Sequence, residues 1–223
     1  MIKNKIKYLI KKLYFIVEEN PLQAARVDKW YKMDQDNTLR YSYDIDTNSL
    51  VFDVGGYKGE WAEKIFNKYH CYIYIFEPVK SFYNEICLKF AKNEKIKVFN
   101  FGLSHHSQKL MISINDDKSS IFSKSGTPQE IEMVDISEFL SKNQINKIDL
   151  LKLNIEGGEY DVIDKLTSLG WIINIRDLQV QFHDFVEDSD IRLSKIRRNL
   201  ESTHYLTYCC DYVWENWRIK PHL

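Results

Sequence analysis

From Ser49 onward, short apolar runs alternate with longer amphipathic segments, and this alternation constrains the fold more than any other feature of the chain. The apolar runs predict buried strands at residues 50–54, 71–76, 96–101, 148–153 and 178–182. The amphipathic segments predict helices at residues 60–69, 80–92, 136–142, 159–169 and 188–201. This order is typical of a mostly parallel sheet with helices on both faces. We therefore predict a Rossmann-like α/β fold, in which ligands bind beyond the C-terminal ends of the strands.

Both ends of the chain fall outside this alternation. Residues 1–19 are basic and amphipathic, which predicts a helix that lies on a membrane surface or packs on its own domain or on a second subunit of a homodimer. We favour packing. Residues 21–48 are polar, with a short helix near 23–32. We therefore divide the chain into an N-terminal helical extension (1–48) and the domain that carries the alternation of strands and helices (49–223). Residues 205–214 are predicted to be the last strand-rich stretch.

Residues 105–135 are polar and interrupt the alternation between the third and fourth predicted strands. Two stretches in this segment, 109–114 and 130–134, alternate between apolar and polar residues and are expected to pair as strands. We predict that the remainder is a flexible lid on the substrate side.

The composition excludes several classes of protein. Hydrophobic residues make up 44% and charged residues 28% of the 223 residues, which suits a globular domain and excludes disorder. The net charge of −1 gives no sign of a nucleic-acid-binding protein. The four cysteines have no metal-binding spacing and are expected to be reduced thiols in a cytoplasmic protein. No apolar run reaches the roughly 18 residues that a membrane span needs.

The first predicted strand ends in a glycine-rich turn, DVGGYKGEW at 53–61. Glycines there allow a sharp turn and let a ligand approach the backbone. The second predicted strand ends at Glu77, 22 residues beyond Gly55. An acidic side chain at this position accepts hydrogen bonds from ribose hydroxyls in dinucleotide-binding folds. The two features together predict a nucleoside site.

The spacing of the glycines favours a nucleoside ligand without phosphate. The turn reads Gly-Gly-x-x-Gly, which differs from the Gly-x-Gly-x-x-Gly cradle for a pyrophosphate, and it lacks the Lys-Ser/Thr ending of a P-loop. S-adenosylmethionine carries a ribose and no phosphate. Asp53, beneath the turn, adds a negative charge that favours the cationic methionine end of this molecule.

Several blocks of the sequence resemble the FkbM-type methyltransferases. They are VFDVGGYKGEWA at 51–62, IYIFEP at 73–78, FGLS at 101–104, IDLLKLNIEGGEYDVI at 148–163 and QVQFH at 179–183. The resemblance implies a class I methyltransferase fold and S-adenosylmethionine-dependent O-methylation of a sugar, a glycan or another small molecule, in the context of bacterial surface-polysaccharide biosynthesis. The family motif Asp-x-Glu-Gly-x-Glu has Asn154 at its first position here. An amide is no base, so a mechanism with a base at position 154 is in doubt.

The turn, the strand ends and the resemblance together define a set of expected cofactor-binding residues. They are Asp53, Gly55, Gly56, Tyr57, Gly59, Glu77, Pro78, Gly102, Leu103 and Asn154. No ligand spacing singles out the oxygen-bearing side chains of Asp116, Asp117, Asn154 and Glu156, so we expect no metal.

Three residues are candidates for catalysis. His183 ends the fifth predicted strand, and a histidine there is suited to taking a proton from a hydroxyl group. Glu156 or Lys152 is expected to orient the acceptor, and a structural ion pair between these two residues is the alternative. His105 and His106 are interpreted as loop residues.

Other functions remain open at this point. One is a nucleotide-sugar-binding or NAD-binding protein without methyl transfer, and another is a catalytically silent scaffold with the same fold. A nucleic-acid methyltransferase is disfavoured because the basic residues are dispersed. The C-terminal Trp214, Trp217, Arg218 and His222 could stack on a sugar, but we expect them to pack within the protein or at a dimer interface.

Overall fold

The computed structural model describes residues 21–33, 35–114 and 127–221. The helices are α1 (Pro21–Lys32), α2 (Glu60–Tyr69), α3 (Lys80–Phe90), α4 (Ile136–Lys142), α5 (Glu159–Ser168) and α6 (Ser189–Leu200), with 3₁₀ turns at Leu39–Tyr41 and Trp171–Asn174. The strands are β1 (Leu50–Val54), β2 (Tyr72–Phe76), β3 (Ile96–Phe99), β4 (Gly102–Ser104), β5 (Gln108–Ile114), β6 (Thr127–Asp135), β7 (Ile148–Leu153), β8 (Ile175–Val180), β9 (His204–Cys210) and β10 (Trp214–Ile219).

The large sheet has the strand order β3-β2-β1-β7-β8-β10-β9. Its described strands run parallel except for β10, which is antiparallel to both of its neighbours. The order reverses between β1 and β7, so the chain crosses from one half of the sheet to the other at this point. In parallel sheets, ligands bind in the crevice at such a reversal. The predicted Rossmann-like α/β fold is confirmed.

Successive side chains along the strands point to opposite faces of the sheet and contribute to two hydrophobic layers, one on each face. In β1, Phe52 and Val54 belong to the larger layer, which is shared with residues of α4, α5 and α6. Val51 belongs to the second layer, which contains residues of α2 and α3. Helices therefore cover both faces, as the near-continuous apolar character of the central strands predicts.

A buried row of polar side chains crosses the second face. Asp53 is the register partner of Lys152, Lys152 that of Gln179, and Gln179 that of Asn216. All four side chains lie on the same face, and each residue is at most 3% exposed. We call these four residues the polar row. Its β1 end lies directly below the glycine-rich turn.

Residues of the N-terminal segment pack on this face and at the end of the sheet. The hydroxyl of Tyr43 lies 2.9 Å from the side-chain amide of Gln179. Arg40 stacks on the Trp214 ring at 3.9 Å and donates to Asp36 Oδ1 at 2.7 Å. In α1, Trp30 is buried against Trp214. The segment 21–48 is thus held to the sheet by aromatic and charged contacts.

Two expectations concern the ends of the chain. Trp214 and Trp217 are 5% and 2% exposed, so the expectation that they pack within the protein is confirmed, while His222 lies outside the described residues. The expected helix at 1–19 lies outside them as well. Among the helices described, none has both the length and the apolar character needed to cross a bilayer.

The segment between β3 and β7 contains the smaller sheet, with the order β4-β6-β5. The expected pairing of its two alternating stretches is confirmed, because β5 and β6 form an antiparallel ribbon. Val79, Ile112 and Ile131 form a small core that anchors the ribbon beside the start of α3. Residues 115–126, in the predicted lid, lie outside the described part of the chain.

Three strand predictions are wrong in detail. The strand predicted at 178–182 is β8, which begins and ends earlier, at Ile175–Val180, so that His183 follows the strand by three residues. The third strand ends at Phe99 rather than at 101, and Gly102–Ser104 instead pairs with β6 in the smaller sheet. The strand-rich stretch predicted at 205–214 contains β9 and the tight turn that leads into β10, which begins at Trp214. Tyr212 in this turn has a φ of +56°, a left-handed conformation that no glycine or asparagine signals in the sequence.

Candidate functional site

The glycine-rich turn lies at the C-terminal end of β1, where the strand order reverses. Gly55 has a φ of +84°, and a Cβ atom there would lie 2.0 Å from the backbone oxygen of Asn154. Both the dihedral angle and the close approach to β7 require glycine. The backbone nitrogens of Gly55 and Gly56 donate to Phe76 O, which ties the turn to β2. Gly59, with a φ of +71°, then begins α2.

Glu77 lies next to this turn, where β2 ends. Its Oε2 accepts a hydrogen bond from Tyr57 N at 2.8 Å, and its Oε1 accepts one from Val79 N at 2.9 Å. Each carboxylate oxygen accepts more than one hydrogen bond, so this arrangement leaves acceptor capacity for a ligand. Burial raises the pKa of Glu77 to about 7, against the two backbone hydrogen bonds that lower it. The predicted placement of Glu77 beside the glycine turn is therefore correct.

Asp53 and Lys152 form a buried ion pair under the turn. Lys152 Nζ lies 2.8 Å from Asp53 Oδ1 and donates to Gly55 O, also at 2.8 Å. The predicted alternative, an ion pair between Lys152 and Glu156, is wrong. The register of β1 and β7 makes Asp53 the cross-strand neighbour of Lys152 instead. Lys152 is 3% exposed, and its ammonium is engaged by contacts that support the turn.

Two buried oxygen atoms near the turn lack a hydrogen-bond partner among the described residues. They are Asp53 Oδ2 and Asn154 Oδ1. Burial raises the pKa of Asp53, and Lys152 opposes this rise. A buried acceptor without a donor is costly, so a ligand that brings donors to this end of the turn is favoured there.

The chain makes a strained turn directly after β7. Glu156 has a φ of +52°, a left-handed conformation that is unusual for a residue with a side chain, and Gly157 follows with a φ of +104°. The turn brings Glu156 Oε1 to 3.7 Å from His183 Nε2. The side chain of Glu156 is 34% exposed, so it lies at the rim of the site.

His183 and Glu159 form the tightest pair in this region. His183 Nδ1 lies 2.6 Å from Glu159 Oε1, and Glu159 Oε2 accepts a hydrogen bond from Gly157 N at 3.0 Å. Tyr160 OH donates to His183 O at 3.0 Å, which fixes the backbone beyond β8. The imidazole is thus oriented through Nδ1 and presents Nε2 toward Glu156.

The pKa of His183 is the result of opposing effects. Burial lowers it, but the charge of Glu159 and the hydrogen bond to this carboxylate outweigh burial, and Glu156 adds to the rise. Together they raise the pKa of His183 to about 9. Such a histidine is a stronger base than a free imidazole once it has lost its proton.

Glu159 was not among the predicted site residues. The sequence does contain a signal, because Glu156 and Glu159 are three residues apart and would share one face of a helix. The strained turn separates them instead: Glu159 is fully buried at the start of α5, and Glu156 points to the rim.

The remaining predicted residues have different surroundings. Pro78 follows Glu77, and its carbonyl accepts a hydrogen bond from Asn100 Nδ2 at 3.1 Å. Gly102 lies close to Met133 and Pro78. Leu103 is fully buried in the larger hydrophobic layer. His105 is 3.7 Å from Asp161 and lies at an exposed position, as expected of a loop residue.

The residues present fit S-adenosylmethionine. The acceptor capacity of Glu77 suits ribose hydroxyls, the glycine turn allows close approach to the backbone, and the unpaired Oδ1 of Asn154 suits a ligand that donates hydrogen bonds. In the described ranges, no cluster of three or more His, Cys, Asp or Glu side chains is arranged to hold a metal ion.

Comparison with solved structures shows the fold. A candidate rRNA methylase from Clostridium thermocellum aligns with a TM-score of 0.54 at 7% identity, covering 84% of this chain and 94% of that one. An rRNA methylase from Streptococcus thermophilus aligns with a TM-score of 0.50 at 10% identity and the same two coverages, 84% and 94%. Among curated proteins, none matches the chain significantly.

Comparison with protein families is more specific. The family described as "Methyltransferase FkbM domain" matches residues 53–206, which span the glycine turn, Glu77, the turn after β7 and His183. This match covers well over half of the chain and confirms the resemblance found in the sequence. The chain belongs to the FkbM methyltransferase family and uses S-adenosylmethionine as its methyl donor.

Proposed function

We propose that this methyltransferase acts on a hydroxyl group of a sugar, a glycan or another small molecule, with His183 as the general base and Glu159 as its positioning residue. The observation that carries this proposal is the contact of 2.6 Å between His183 Nδ1 and Glu159 Oε1 at the C-terminal edge of the sheet. A carboxylate that holds Nδ1 leaves Nε2 as the atom that takes a proton.

The residues divide the work between binding and proton transfer. S-adenosylmethionine, when bound, would supply the methyl group from its sulfonium sulfur, and the rest of the cofactor would leave as a neutral thioether. Glu77, the glycine turn and Asn154 are the proposed contacts to this cofactor. His183 acts as the base in its neutral form, whose fraction grows as the pH approaches 9. In that form Nε2 takes the proton from the acceptor hydroxyl as the hydroxyl oxygen forms the new bond to carbon. Glu159 stabilises the imidazolium that results, because its carboxylate is buried and already paired with the ring.

The rim of the site supports a direct contact between Glu156 and the acceptor. Its carboxylate is partly exposed and lies 3.7 Å from His183 Nε2, so an acceptor hydroxyl bound there is within reach of both groups. Lys152 was the other candidate for this role. Its burial under the turn favours a structural role, in which it holds Asp53 and Gly55 in place.

RNA is the second candidate acceptor, because two of the solved structures with a similar fold are described as rRNA methylases. The charges around His183 argue against it. Glu156, Glu159 and Asp184 all contribute negative charge to His183. A site that binds a phosphate backbone needs an excess of Lys and Arg side chains.

The formation of S-adenosylhomocysteine tests the proposal. Purified protein is incubated with S-adenosylmethionine and a panel of sugars and small alcohols, and the His183→Asn variant is compared with His70→Asn. His70 is exposed and lies at the opposite edge of the sheet, with a φ of +52° that asparagine tolerates. We expect His183→Asn to lose about 100-fold or more in turnover, the usual contribution of a general base, and His70→Asn to keep it. Full turnover in His183→Asn would refute the assignment of the base.

A further inference from the structure

Phe185 is a large apolar side chain exposed beside the proposed base. It is 50% exposed, and its ring centroid lies 5.2 Å from that of His183 with 45° between the ring planes. Ligand sites are lined by aromatic and apolar side chains beside a few polar groups, and Phe185 has this position beside His183. Phe182, three residues earlier, is by contrast 2% exposed and belongs to the core.

The loop that carries Phe185 is fixed at several points. Tyr160 OH donates to His183 O at 3.0 Å, and Ser189 Oγ donates to Asp184 O at 3.2 Å. The guanidinium of Arg26, in α1, lies 3.3 Å from Asp184 Oδ2. Phe185 is therefore held between a fixed strand end and the start of α6, and its ring has a defined position relative to His183.

The groups around this ring combine an apolar surface with hydrogen-bonding atoms. Glu156 and Asp184 have side chains 34% and 26% exposed and offer acceptors, and Arg26, 23% exposed, offers donors. Neighbouring hydroxyls of a sugar both donate and accept hydrogen bonds, and one face of a pyranose ring presents C–H groups that pack on an aromatic ring. The acidic side chains oppose a phosphate-bearing ligand.

We propose that Phe185 is the acceptor-binding platform of this enzyme, and that the acceptor is a pyranose sugar whose C–H face packs on the Phe185 ring while one of its hydroxyls reaches His183. This inference rests on the proposed function and adds its substrate class and a specificity-determining residue. The strongly basic His183 suits such an acceptor, because an aliphatic hydroxyl loses its proton far less readily than a phenol.

Saturation-transfer NMR tests the platform without knowledge of the natural acceptor. The full-length protein is mixed with enough S-adenosylhomocysteine to fill its binding site. The methyl pyranosides of mannose, glucose, galactose and rhamnose are then added one at a time. We expect transfer to the ring C–H protons of at least one pyranoside, concentrated on one face. Phe185→Ala should reduce this transfer about fivefold, as expected for the loss of one aromatic contact, and Phe185→Tyr should restore it.

Tyr205→Ala serves as the matched control. Tyr205 is an aromatic residue of similar exposure, 42%, at the opposite edge of the sheet, and its loss should leave the transfer unchanged. Absence of transfer to every pyranoside, or equal transfer in Phe185→Ala, overturns the proposal. So does a Phe185-dependent signal from p-nitrophenol or a short RNA when the pyranosides give none. In each of these cases calorimetric binding of S-adenosylhomocysteine and the His183-dependent turnover still report separately on the proposed function.

Discussion

His183 Nδ1 and Glu159 Oε1 lie 2.6 Å apart, and they join the segment after β8 to the first residue of α5. The carboxylate is fully buried and the imidazole side chain is 11% exposed, so solvent screens their attraction only weakly. The protonation of the proposed base therefore depends on Glu159, which is fully buried behind the imidazole ring.

The first prediction concerns the titration of the histidines by NMR. The pKa of His183 should lie near 9, and in the same spectrum His204, whose pKa burial lowers, should titrate below the ordinary 6.5. In Glu159→Gln the pKa of His183 should fall by more than one unit, because burial then acts without the main opposing charge. An unshifted His183 signal in that variant would contradict the electrostatic account of the site.

The same pair predicts the pH dependence of stability. The folded pKa of His183 is raised above its unfolded value of 6.5, so the stabilisation it provides is fully present below pH 6.5 and is lost as the pH rises through about 9. The difference in free energy of unfolding between the wild type and Glu159→Gln, measured with urea, should therefore shrink between pH 6.5 and 9.

A second titration concerns cofactor affinity. Burial raises the pKa of Glu77 to about 7, and the ionised form is the better acceptor for ribose hydroxyls. Calorimetry should show that the affinity for S-adenosylhomocysteine falls as the pH drops below 7. Glu77→Gln should bind weakly at every pH, and Glu63→Gln, an exposed carboxylate on α2, should retain the wild-type profile. A pH-independent affinity in the wild type would argue against a role for the Glu77 carboxylate.

Two glycines with similar backbone angles provide a matched pair of variants. Gly55 and Gly170 have φ values of +84° and +65°, but a Cβ would meet Asn154 O at 2.0 Å only in the first case, and Gly170 has open space. Gly170→Ala should cost about 1–2 kcal/mol of stability and leave ligand binding intact. Gly55→Ala should cost roughly 3 kcal/mol or more and abolish S-adenosylhomocysteine binding. If urea denaturation gave the same loss in free energy of unfolding for Gly55→Ala and Gly170→Ala, Gly55 would not lie in close contact with β7.

The buried ion pair under the turn leads to the last prediction. Lys152→Met leaves the Asp53 carboxylate buried without its cation, which should cost about 3–5 kcal/mol. The pKa of Asp53 is already raised by burial and should rise further in this variant. A raised folded pKa means that stability is lost as the pH rises, so the deficit should be smallest under acidic conditions. The double variant with Asp53→Asn should recover part of the loss, and failure to recover any would assign the cost to packing of the lysine stem.

Much of the fold could be predicted because its signals are local. The bounds of β1, α2, α4 and β7 match the predicted ones, since apolar runs and helical periodicity are visible in the sequence. Asp135 caps α4 by accepting a hydrogen bond from Ser137 N at 2.8 Å. The turn between β9 and β10 was not predicted within the strand-rich stretch at 205–214, because Tyr212 makes this turn in a conformation that the sequence does not mark.

The site was harder to predict because its contacts depend on register and on strained turns. The glycine turn and Glu77 follow from strand ends, which the sequence shows. The partner of Lys152 depends on how β1 pairs with β7, and Glu159 reaches His183 only because the chain bends sharply at Glu156 and Gly157. Neither relationship is visible in residue spacing.

The polar row also bears on how the sheet assembles. A shift of one residue in β7 would replace Lys152 by a leucine on the second face and move its ammonium into the apolar layer on the other side, away from Asp53. Gln179 and Asn216 restrict the register of β8 and β10 in the same way, because a shift of one residue would move these amides to the other face. Misaligned sheets therefore leave charged and amide groups without their partners, and the polar row below the glycine-rich turn discriminates against wrong strand alignments.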